Sequence, residues 1–214
     1  MNFGARLEAV AALVPPCHTL VDVGTDHAYL PVLLLQQGKI EQAIAGDVVP
    51  GPCEAARHTV RTFHLEDRIT VRQGSGLTVA APGEAEAAVI AGMGAETMLQ
   101  ILGESPEVWQ HPRFRHLILQ PMSDAARLRH WAEKNGWAVV REELAREGKR
   151  LYELLHLEPS PGWRYPSACY EIGFDLVERH HPLLQEFLAE RKKKVQLLLE
   201  QMGRSERARA SRQY

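Results

Sequence analysis

Two carboxylates flank a glycine between residues 20 and 31, where an apolar run ends and a helical pattern begins. Asp22 precedes Gly24 by two positions and Asp26 follows it by two. A strand, a glycine turn and a helix form the nucleotide-binding turn of parallel α/β sheets. A dinucleotide pocket has glycines where this chain has Asp26 and Ala28, and a pyrophosphate there would face a carboxylate. The turn therefore favours a ligand with a cationic end, such as the amino acid part of S-adenosylmethionine (SAM).

Polar residues also follow the next two predicted strands. Asp47 lies 23 residues after Gly24, near the spacing at which an acid accepts hydrogen bonds from ribose hydroxyls. The alternative is an acid at the start of the helix that follows. Next along the chain, Gly74 and Ser75 offer a hydroxyl near the place of an adenine, or form a simple glycine-rich turn. At the first turn, too, an ordinary strand-to-helix connection is the alternative to a ligand site.

Two later segments complete the candidate set. Gly92 and Gly94 flank Met93, and glycines at the end of a strand permit close backbone approach to a substrate. Met93 itself contacts the ligand or is a packing residue. Gln120 ends another predicted strand, where its amide reads a base edge or holds the approach to the next helix.

Strand and helix patterns alternate over about 130 residues, which predicts a parallel sheet covered on both faces. Strands are predicted at 20–24, 42–47, 69–73, 87–91 and 115–120, and helices at 7–14, 28–37, 50–64, 95–102 and 123–135. Two further strand patterns, 137–144 and 150–157, have only a turn-like segment between them. A doubly wound sheet that ends in a hairpin is typical of class I methyltransferases, whereas an oxidoreductase would have another crossover helix.

The C-terminal part has a different pattern. A helix is predicted over residues 182–202, with an apolar stripe that we expect to pack against another helix; the stripe comprises Leu184, Leu188, Val195, Leu198 and Met202. Residues 203–214 are expected to be frayed. We therefore predict a methyltransferase domain over residues 1–160 and a small helical appendage over residues 161–214.

The composition of the chain limits the cellular compartments and the metal or disulfide chemistry to be expected of it. Apolar residues make up 45% of 214, enough for a sizeable core, and no apolar run approaches the roughly 20 residues that cross a bilayer. The three cysteines are far apart and fit neither a disulfide framework nor a zinc ligand set. The ten histidines show no metalloprotease spacing. We expect a cytoplasmic monomer that needs no metal and no membrane.

Charge is unevenly distributed along the chain. Residues 191–214 contain eight Lys or Arg and two Glu, a charge of +6, so the overall charge of −2 leaves −8 on the other residues. A basic tail on an acidic body indicates a polyanionic partner. The alternative is a solvated helix face.

Four segments together resemble the bacterial TrmK family of tRNA (adenine-22-N1)-methyltransferases. They are DVGTDHAYLP at 22–31, VRQG at 71–74, IAGMG at 90–94 and LQP at 119–121. The likeness runs from residue 7 to residue 157, and more weakly over residues 182–199. It implies a class I Rossmann-like domain that binds SAM, and a helical coiled-coil appendage that helps to grip tRNA.

The resemblance also implies roles for individual residues. Those around the methionine end of SAM would be Asp22, Gly24, Asp26 and His27. The ribose and adenine would lie near Asp47, Gly74 and Ser75, and the acceptor base near Gly92, Met93 and Gly94. The family usually has Gly-Asp-Gly at 74–76, often glutamate at 47, and a further glycine at 95, where this chain has Ser75, Asp47 and Ala95.

The expected activity is methylation of N1 of adenine 22 in tRNA. Adenine N1 carries a lone pair and becomes reachable when the base leaves its stack, so positioning and electrostatic support can replace a strong base. The candidate catalytic residues are Asp26, Tyr29 and Met93. The candidate substrate-binding residues are Gly94, Gln120, Arg191, Lys192, Lys193 and Lys194. Two alternatives remain: a non-catalytic RNA-binding protein on this scaffold, and a methyltransferase for a small-molecule or protein acceptor.

Overall fold

The computed structural model describes residues 3–204, and a seven-stranded sheet forms its centre. The strands in chain order are β1 (Cys17–Val23), β2 (Ile40–Asp47), β3 (Ile69–Gln73), β4 (Ala87–Met93), β5 (His116–Pro121), β6 (Trp137–Glu147) and β7 (Arg150–Pro159). Across the sheet their order is β3-β2-β1-β4-β5-β7-β6. Strands β1 to β5 are parallel to one another, and β7 runs antiparallel to both β5 and β6. The predicted fold class is confirmed.

Helices cover both faces of the sheet. They are α1 (Ala5–Leu13), α2 (Tyr29–Gln36), α3 (Pro50–Thr62), α4 (Ala95–Glu104), α5 (Pro106–Trp109), α6 (Ala125–Lys134), α7 (Phe174–Glu178) and α8 (Leu184–Arg204). The short helix α5 was not predicted, because four residues cannot display a helical period. One apolar cluster packs β-sheet residues against α4, α5 and α6, and a second packs the opposite face against α1, α2 and α3.

The strand order reverses next to β1, and this reversal creates a crevice in which a ligand can bind. β1 pairs with β2 on one side and with β4 on the other, so the helices that follow these strands depart to opposite faces. Ligands of open α/β sheets bind at the carboxyl ends of strands at such a point. The predicted acids and glycines at the ends of β1 to β4 therefore meet at one edge.

The C-terminal helix packs on the sheet only through its first turns. Leu184 and Phe187 are buried with Leu144 of β6 and Leu176 of α7. Farther along, the Val195 side chain is 55% exposed, and Leu198 is similar. The expectation that the whole stripe packs against another helix is therefore wrong for the described residues. A 21-residue helix is about 31 Å long, and Leu197 and Leu199 in its second half are exposed as well. Residues 205–214, including most of the predicted frayed segment, lie outside the described residues.

A buried arginine joins the segment after residue 160 to the sheet. Arg129 of α6 has no exposed surface, and it donates hydrogen bonds to Glu142 (2.6 Å), Glu153 (3.0 Å) and the Tyr170 carbonyl (2.7 Å). Glu142 also accepts a hydrogen bond from the Tyr165 hydroxyl at 3.0 Å. The helical appendage is thus fastened to β6 and β7 through charged groups, and the domain division at residue 160 stays a prediction.

Candidate active site

A cleft of about 210 Å³ lies at the carboxyl ends of β1, β2, β3 and β4. Its lining includes five residues that were predicted from the sequence to bind the cofactor: Gly24, Asp47, Gly74, Ser75 and Met93. The rest of the lining is Val23, Gly46, Val48, Gly76, Thr97, Gln100, Ile101 and Glu104. Because neighbouring parallel strands end at one edge, residues far apart in sequence converge on this cleft.

The turn after β1 depends on glycine. Gly24 has φ +72°, a left-handed conformation that side chains disfavour. A Cβ atom at this position would also lie 2.3 Å from Met93 Cε. The Gly24 and Thr25 amides both donate to the Gly46 carbonyl, at 2.9 and 3.0 Å. The turn is therefore bound to β2, with its backbone open toward Met93.

Asp22 lies beneath this turn, and only 5% of its surface is exposed. The Thr25 hydroxyl donates a hydrogen bond to Asp22 Oδ2 at 2.6 Å. Burial, assisted by the nearby Asp47 carboxylate, raises the pKa of Asp22 to about 6, although the Thr25 hydrogen bond opposes the shift. A cation in the cleft would relieve the cost of the buried charge. Thr25 was not among the predicted site residues. Its hydroxyl, three residues after a buried acid, could have indicated a hydrogen bond to Asp22.

Asp47 closes the side of the cleft formed by β2. Its Oδ1 accepts a hydrogen bond from the Val49 amide at 3.0 Å, and its carbonyl accepts one from the Gly74 amide at 2.9 Å. The first bond orients the carboxylate, and the second ties the loop after β3 to the end of β2. Asp47 therefore serves the start of α3, the alternative considered from sequence, while it also lines the cleft.

A carboxylate on α4 faces the loop after β3. Ser75 Oγ lies 3.4 Å from Glu104 Oε2, and Gln100 Nε2 donates to Glu104 Oε1 at 2.7 Å. All three side chains line the cleft. An acid is thus present beside position 75, supplied by a different element. Gln100 and Glu104 were not predicted from the sequence, because they lie within a helix and belong to no glycine-rich loop.

Strand β4 contains a bulge at Gly92, close to its carboxyl end. Gly92 has φ +75°, and the pairing of β4 with β5 shifts register between Ala91 and Met93. The Met93 carbonyl accepts a hydrogen bond from the Met122 amide at 2.8 Å, and Gly94 begins α4. Met93 lines the cleft, whereas Gly92 and Gly94 lie beside it, outside the lining.

Gln120 is buried and holds the β4 loop in place. Its Oε1 accepts hydrogen bonds from the Gly92 amide (3.1 Å) and from Arg6 Nη1 (2.7 Å). Its Nε2 donates to the Pro121 carbonyl at 3.0 Å. Both ends of the amide are thus engaged within the protein, which favours a positioning role over the reading of a base edge. Arg6, on α1, was not predicted.

Three predicted site residues lie on the surface near the first turn. The Asp26 side chain is 71% exposed, and its Oδ1 lies 3.6 Å from His27 Nε2. The His27 ring stacks on Tyr29 with a centroid separation of 5.2 Å. None of the three lines the cleft, so the structure brings them together with one another but not with Asp47 or Ser75.

The four basic residues at 191–194 differ in their surroundings. Arg191 Nη2 lies 2.7 Å from Glu153 Oε2, and Arg191 Nη1 lies 3.2 Å from Glu171 Oε2. Its guanidinium also lies over the Phe187 ring at 4.8 Å. The next three residues, Lys192, Lys193 and Lys194, are exposed. Arg191 therefore fastens α8 to β7, and only the lysines face solvent.

Within residues 3–204, no helix is long and apolar enough to span a bilayer.

Comparisons with known proteins agree on the family. A family model described as a methyltransferase domain matches residues 3–155. The tRNA (adenine(22)-N(1))-methyltransferase of Bacillus subtilis is 37% identical over 158 residues, 74% of this chain and 66% of that enzyme, so the match spans just under two thirds of its length.

Solved structures give the same result over a larger share of the chain. B. subtilis TrmK is 30% identical with a TM-score of 0.85, covering 97% of this chain and 92% of that one. Streptococcus pneumoniae Sp1610, solved in complex with SAM, is 34% identical with a TM-score of 0.84, covering 92% and 91%. The segments, the sheet order and these relatives lead to one conclusion: the chain belongs to the TrmK family of methyltransferases.

Proposed function

We propose that this protein transfers a methyl group from SAM to N1 of adenine 22 in tRNA. The observation that carries the proposal is the set of acids at the cleft: Asp47 and Glu104 belong to its lining, and Asp22 is buried beneath the adjoining turn. A phosphate ligand would be repelled there. A ligand with a cationic amino acid end and an adenosine end would pair with all three carboxylates.

The residues present fit SAM. Gly24 keeps the turn free of a side chain, which would meet Met93 Cε at 2.3 Å, and a cationic ligand end would give the buried Asp22 carboxylate a partner. Asp47 is suited to accept from ribose hydroxyls, since one carboxylate can accept two hydrogen bonds. Glu104 is suited to accept from the adenine amino group, in place of the acid that relatives usually have at position 75.

When bound, SAM supplies a methyl group activated by a positively charged sulfur. The protein's contribution is to orient the reactants, because adenine N1 carries a lone pair and no side chain has to remove a proton first. Gly92 and Gly94 let the backbone approach the acceptor base, and Gln120 fixes that loop through the Gly92 amide. Val48 lines the cleft next to Asp47 and offers apolar surface on the ribose side.

In this proposal tRNA reaches the cleft with help from the lysines of α8, and the protein acts in the cytoplasm as a monomer. Asp26 and Tyr29 lie next to the first turn, on the surface where a flipped-out base would arrive. Their role in this proposal is contact with the tRNA, while Asp22 anchors the cofactor.

The direct test is incubation of the protein with labelled SAM and tRNA transcripts, followed by nucleoside mapping. We expect 1-methyladenosine at position 22 and no label in a transcript with guanosine there. Label elsewhere in tRNA, or in protein or small molecules only, would reject this assignment. Calorimetric titration addresses the RNA-binding alternative, because a protein that binds tRNA but shows no SAM binding at millimolar concentration is not this enzyme.

Glu104 provides a prediction that is specific to this chain. Glu104→Gln should weaken SAM binding about tenfold, since it removes a charged acceptor worth about 1.5 kcal/mol. Adding Ser75→Asp to that variant should recover most of the affinity, because the acid returns to the same end of the cleft. Glu107→Gln on α5, outside the cleft lining, is the matched control and should bind SAM normally. Equal affinity of the Glu104→Gln and wild-type proteins would exclude this role.

The lysines of α8 give a prediction for tRNA. Changing Lys192, Lys193 and Lys194 together to Gln should raise the KM for tRNA about tenfold and leave kcat and SAM affinity unchanged. The slope of log affinity against log salt should become shallower by about 2–3, since up to three phosphate contacts are lost. Lys149→Gln in the β6–β7 turn is the control. An unchanged salt slope would show that tRNA binds elsewhere.

A further inference from the structure

Two histidines and a glutamate converge at the edge of the sheet opposite the candidate active site. His116 Nδ1 lies 3.2 Å from His156 Nε2 and 3.3 Å from Glu158 Oε1. His156 Nε2 lies 3.6 Å from the same Glu158 oxygen. The three atoms thus form a nearly equilateral triangle, and each belongs to a residue type that ligates transition metals.

The register of the sheet explains the cluster. β5 and β7 are antiparallel, with Leu117 opposite Leu157 and Ile118 opposite His156. One step toward the start of β5 brings His116 opposite Glu158. Residues directly opposite share a face of the sheet, and so do residues two apart on one strand, which places His156 beside the pair. The cluster is therefore fixed by strand pairing and does not depend on a loop.

Hydrogen bonds satisfy this triangle only if both rings donate to Glu158, and that arrangement brings two N–H groups face to face at 3.2 Å. With a proton on His116 Nδ1 alone, the remaining acceptors face each other with lone pairs. Burial lowers the pKa of both imidazoles, that of His156 to about 4, although the Glu158 carboxylate opposes the shift. Burial therefore favours the neutral imidazole, which is the form of histidine that ligates metals. A cation at the centre would serve all three atoms.

The distances match a tetrahedral metal. With metal–ligand bonds of about 2.0–2.1 Å, two ligands of a tetrahedral site lie about 3.3–3.4 Å apart. The observed separations of 3.2, 3.3 and 3.6 Å bracket this value. The His156 side chain is 10% exposed and that of Glu158 is 42% exposed, so three protein ligands are held at the border of the protein with one side toward solvent.

We propose that His116, His156 and Glu158 bind one divalent transition-metal ion of the zinc type, with a fourth position left to water or another small ligand. The ion would join β5 to β7 at the amino end of the parallel strands, away from the cleft that binds the cofactor. Its effect is on stability: it adds a cross-link at the end of the ladder that connects the antiparallel hairpin to the parallel sheet.

The test uses the full-length protein without a histidine tag, treated with EDTA and then dialysed. Titration with Zn²⁺ by calorimetry and native mass spectrometry should show one ion per chain, and Co²⁺ should give the visible bands of four-coordinate geometry. Zn²⁺ should also raise the melting temperature, because an ion bound by the folded state alone stabilises it.

Variants locate the ion. Glu158→Gln and His116→Gln should each weaken Zn²⁺ binding at least tenfold and abolish the rise in melting temperature, while His58→Gln, on the exposed face of α3, should change neither. Glu158 is partly exposed, so its variant is expected to fold even if His116→Gln does not, and circular dichroism checks both. Absence of saturable binding at about 100 µM Zn²⁺, or binding that Glu158→Gln leaves intact, would overturn the proposal.

Discussion

Asp22→Asn is expected to weaken SAM binding about 30- to 100-fold and, at the same time, to stabilise the ligand-free protein. The loss of affinity follows from removing a buried charge that pairs with a cationic ligand, an interaction worth about 2–3 kcal/mol. Calorimetry or equilibrium dialysis with SAM measures it. Asp26→Asn is the matched comparison four residues on, and we expect less than about a fivefold effect because that side chain is 71% exposed.

The higher stability expected of the ligand-free Asp22→Asn protein follows from the pKa of Asp22. That pKa is about 6 in the folded protein and about 3.9 in an unfolded chain, so the folded state binds the proton more tightly. Ionisation of Asp22 at pH 7 therefore costs the fold about 3 kcal/mol. The contribution of the Asp22 carboxyl to the free energy of unfolding therefore falls as pH rises from about 4 through 6. Asp22→Asn has no carboxyl at this position and does not lose stability in this way.

Urea unfolding at two pH values tests whether Asp22→Asn stabilises or destabilises the protein. At pH 7.5 the free energy of unfolding of Asp22→Asn should exceed that of the wild type by about 1–3 kcal/mol, and at about pH 5 the difference should shrink, since the wild-type carboxyl is then largely protonated. For the same reason, SAM affinity of the wild type should fall as pH falls below about 6. If Asp22→Asn is less stable than the wild type at pH 7.5, or if only Asp26→Asn loses much of its SAM affinity, Asp22 is not the residue that anchors the cofactor.

The second large effect concerns Arg129. Arg129→Met should lower the free energy of unfolding by about 3–5 kcal/mol, because it leaves the buried Glu142 carboxylate without its cation and removes one of the two arginine partners of Glu153. Circular dichroism with urea measures the loss. Arg127→Met, two residues earlier on the exposed face of α6, should leave the unfolding midpoint within error.

A second substitution separates charge from packing. Glu142→Gln added to Arg129→Met should recover part of the stability, because it removes the buried charge that has lost its cation, whereas Glu153 still pairs with Arg191. If the double variant is no more stable than Arg129→Met, lost packing and not charge explains the effect. Proteolysis after residue 160 should also be faster in Arg129→Met, since Tyr170 loses the hydrogen bond that fastens its segment to α6.

Much of the fold was predictable because it depends on local patterns. Apolar runs that end in Asp22, Asp47, Met93 and Gln120 mark buried parallel strands, and the pair of strands without a helix between them marks the hairpin. The wrong expectation that the whole apolar stripe of α8 packs against another helix has a physical cause too. A helical period shows which side of a helix is apolar, but it does not show where the surface that covers this side ends.

The candidate site was predictable only in part. The acids and glycines at strand ends share one edge by topology, so Gly24, Asp47, Gly74 and Ser75 could be grouped from the strand pattern alone. Partners supplied by other elements could not. Ser75 and Glu104 are 29 residues apart, and Arg6 and Gln120 are 114 apart.

The sequence by itself determined the sheet, its hairpin end, the cofactor turn after β1 and the family. Tertiary structure alone decided which side chains are partners: Glu104 beside Ser75, Gln120 locked to Gly92, and Arg191 engaged by Glu153 while the next lysines face solvent. It also brought His116 to His156 across 40 residues. The physical reason is that periodicity fixes the face on which a side chain lies, whereas register and helix docking, which depend on long-range packing, fix what it meets.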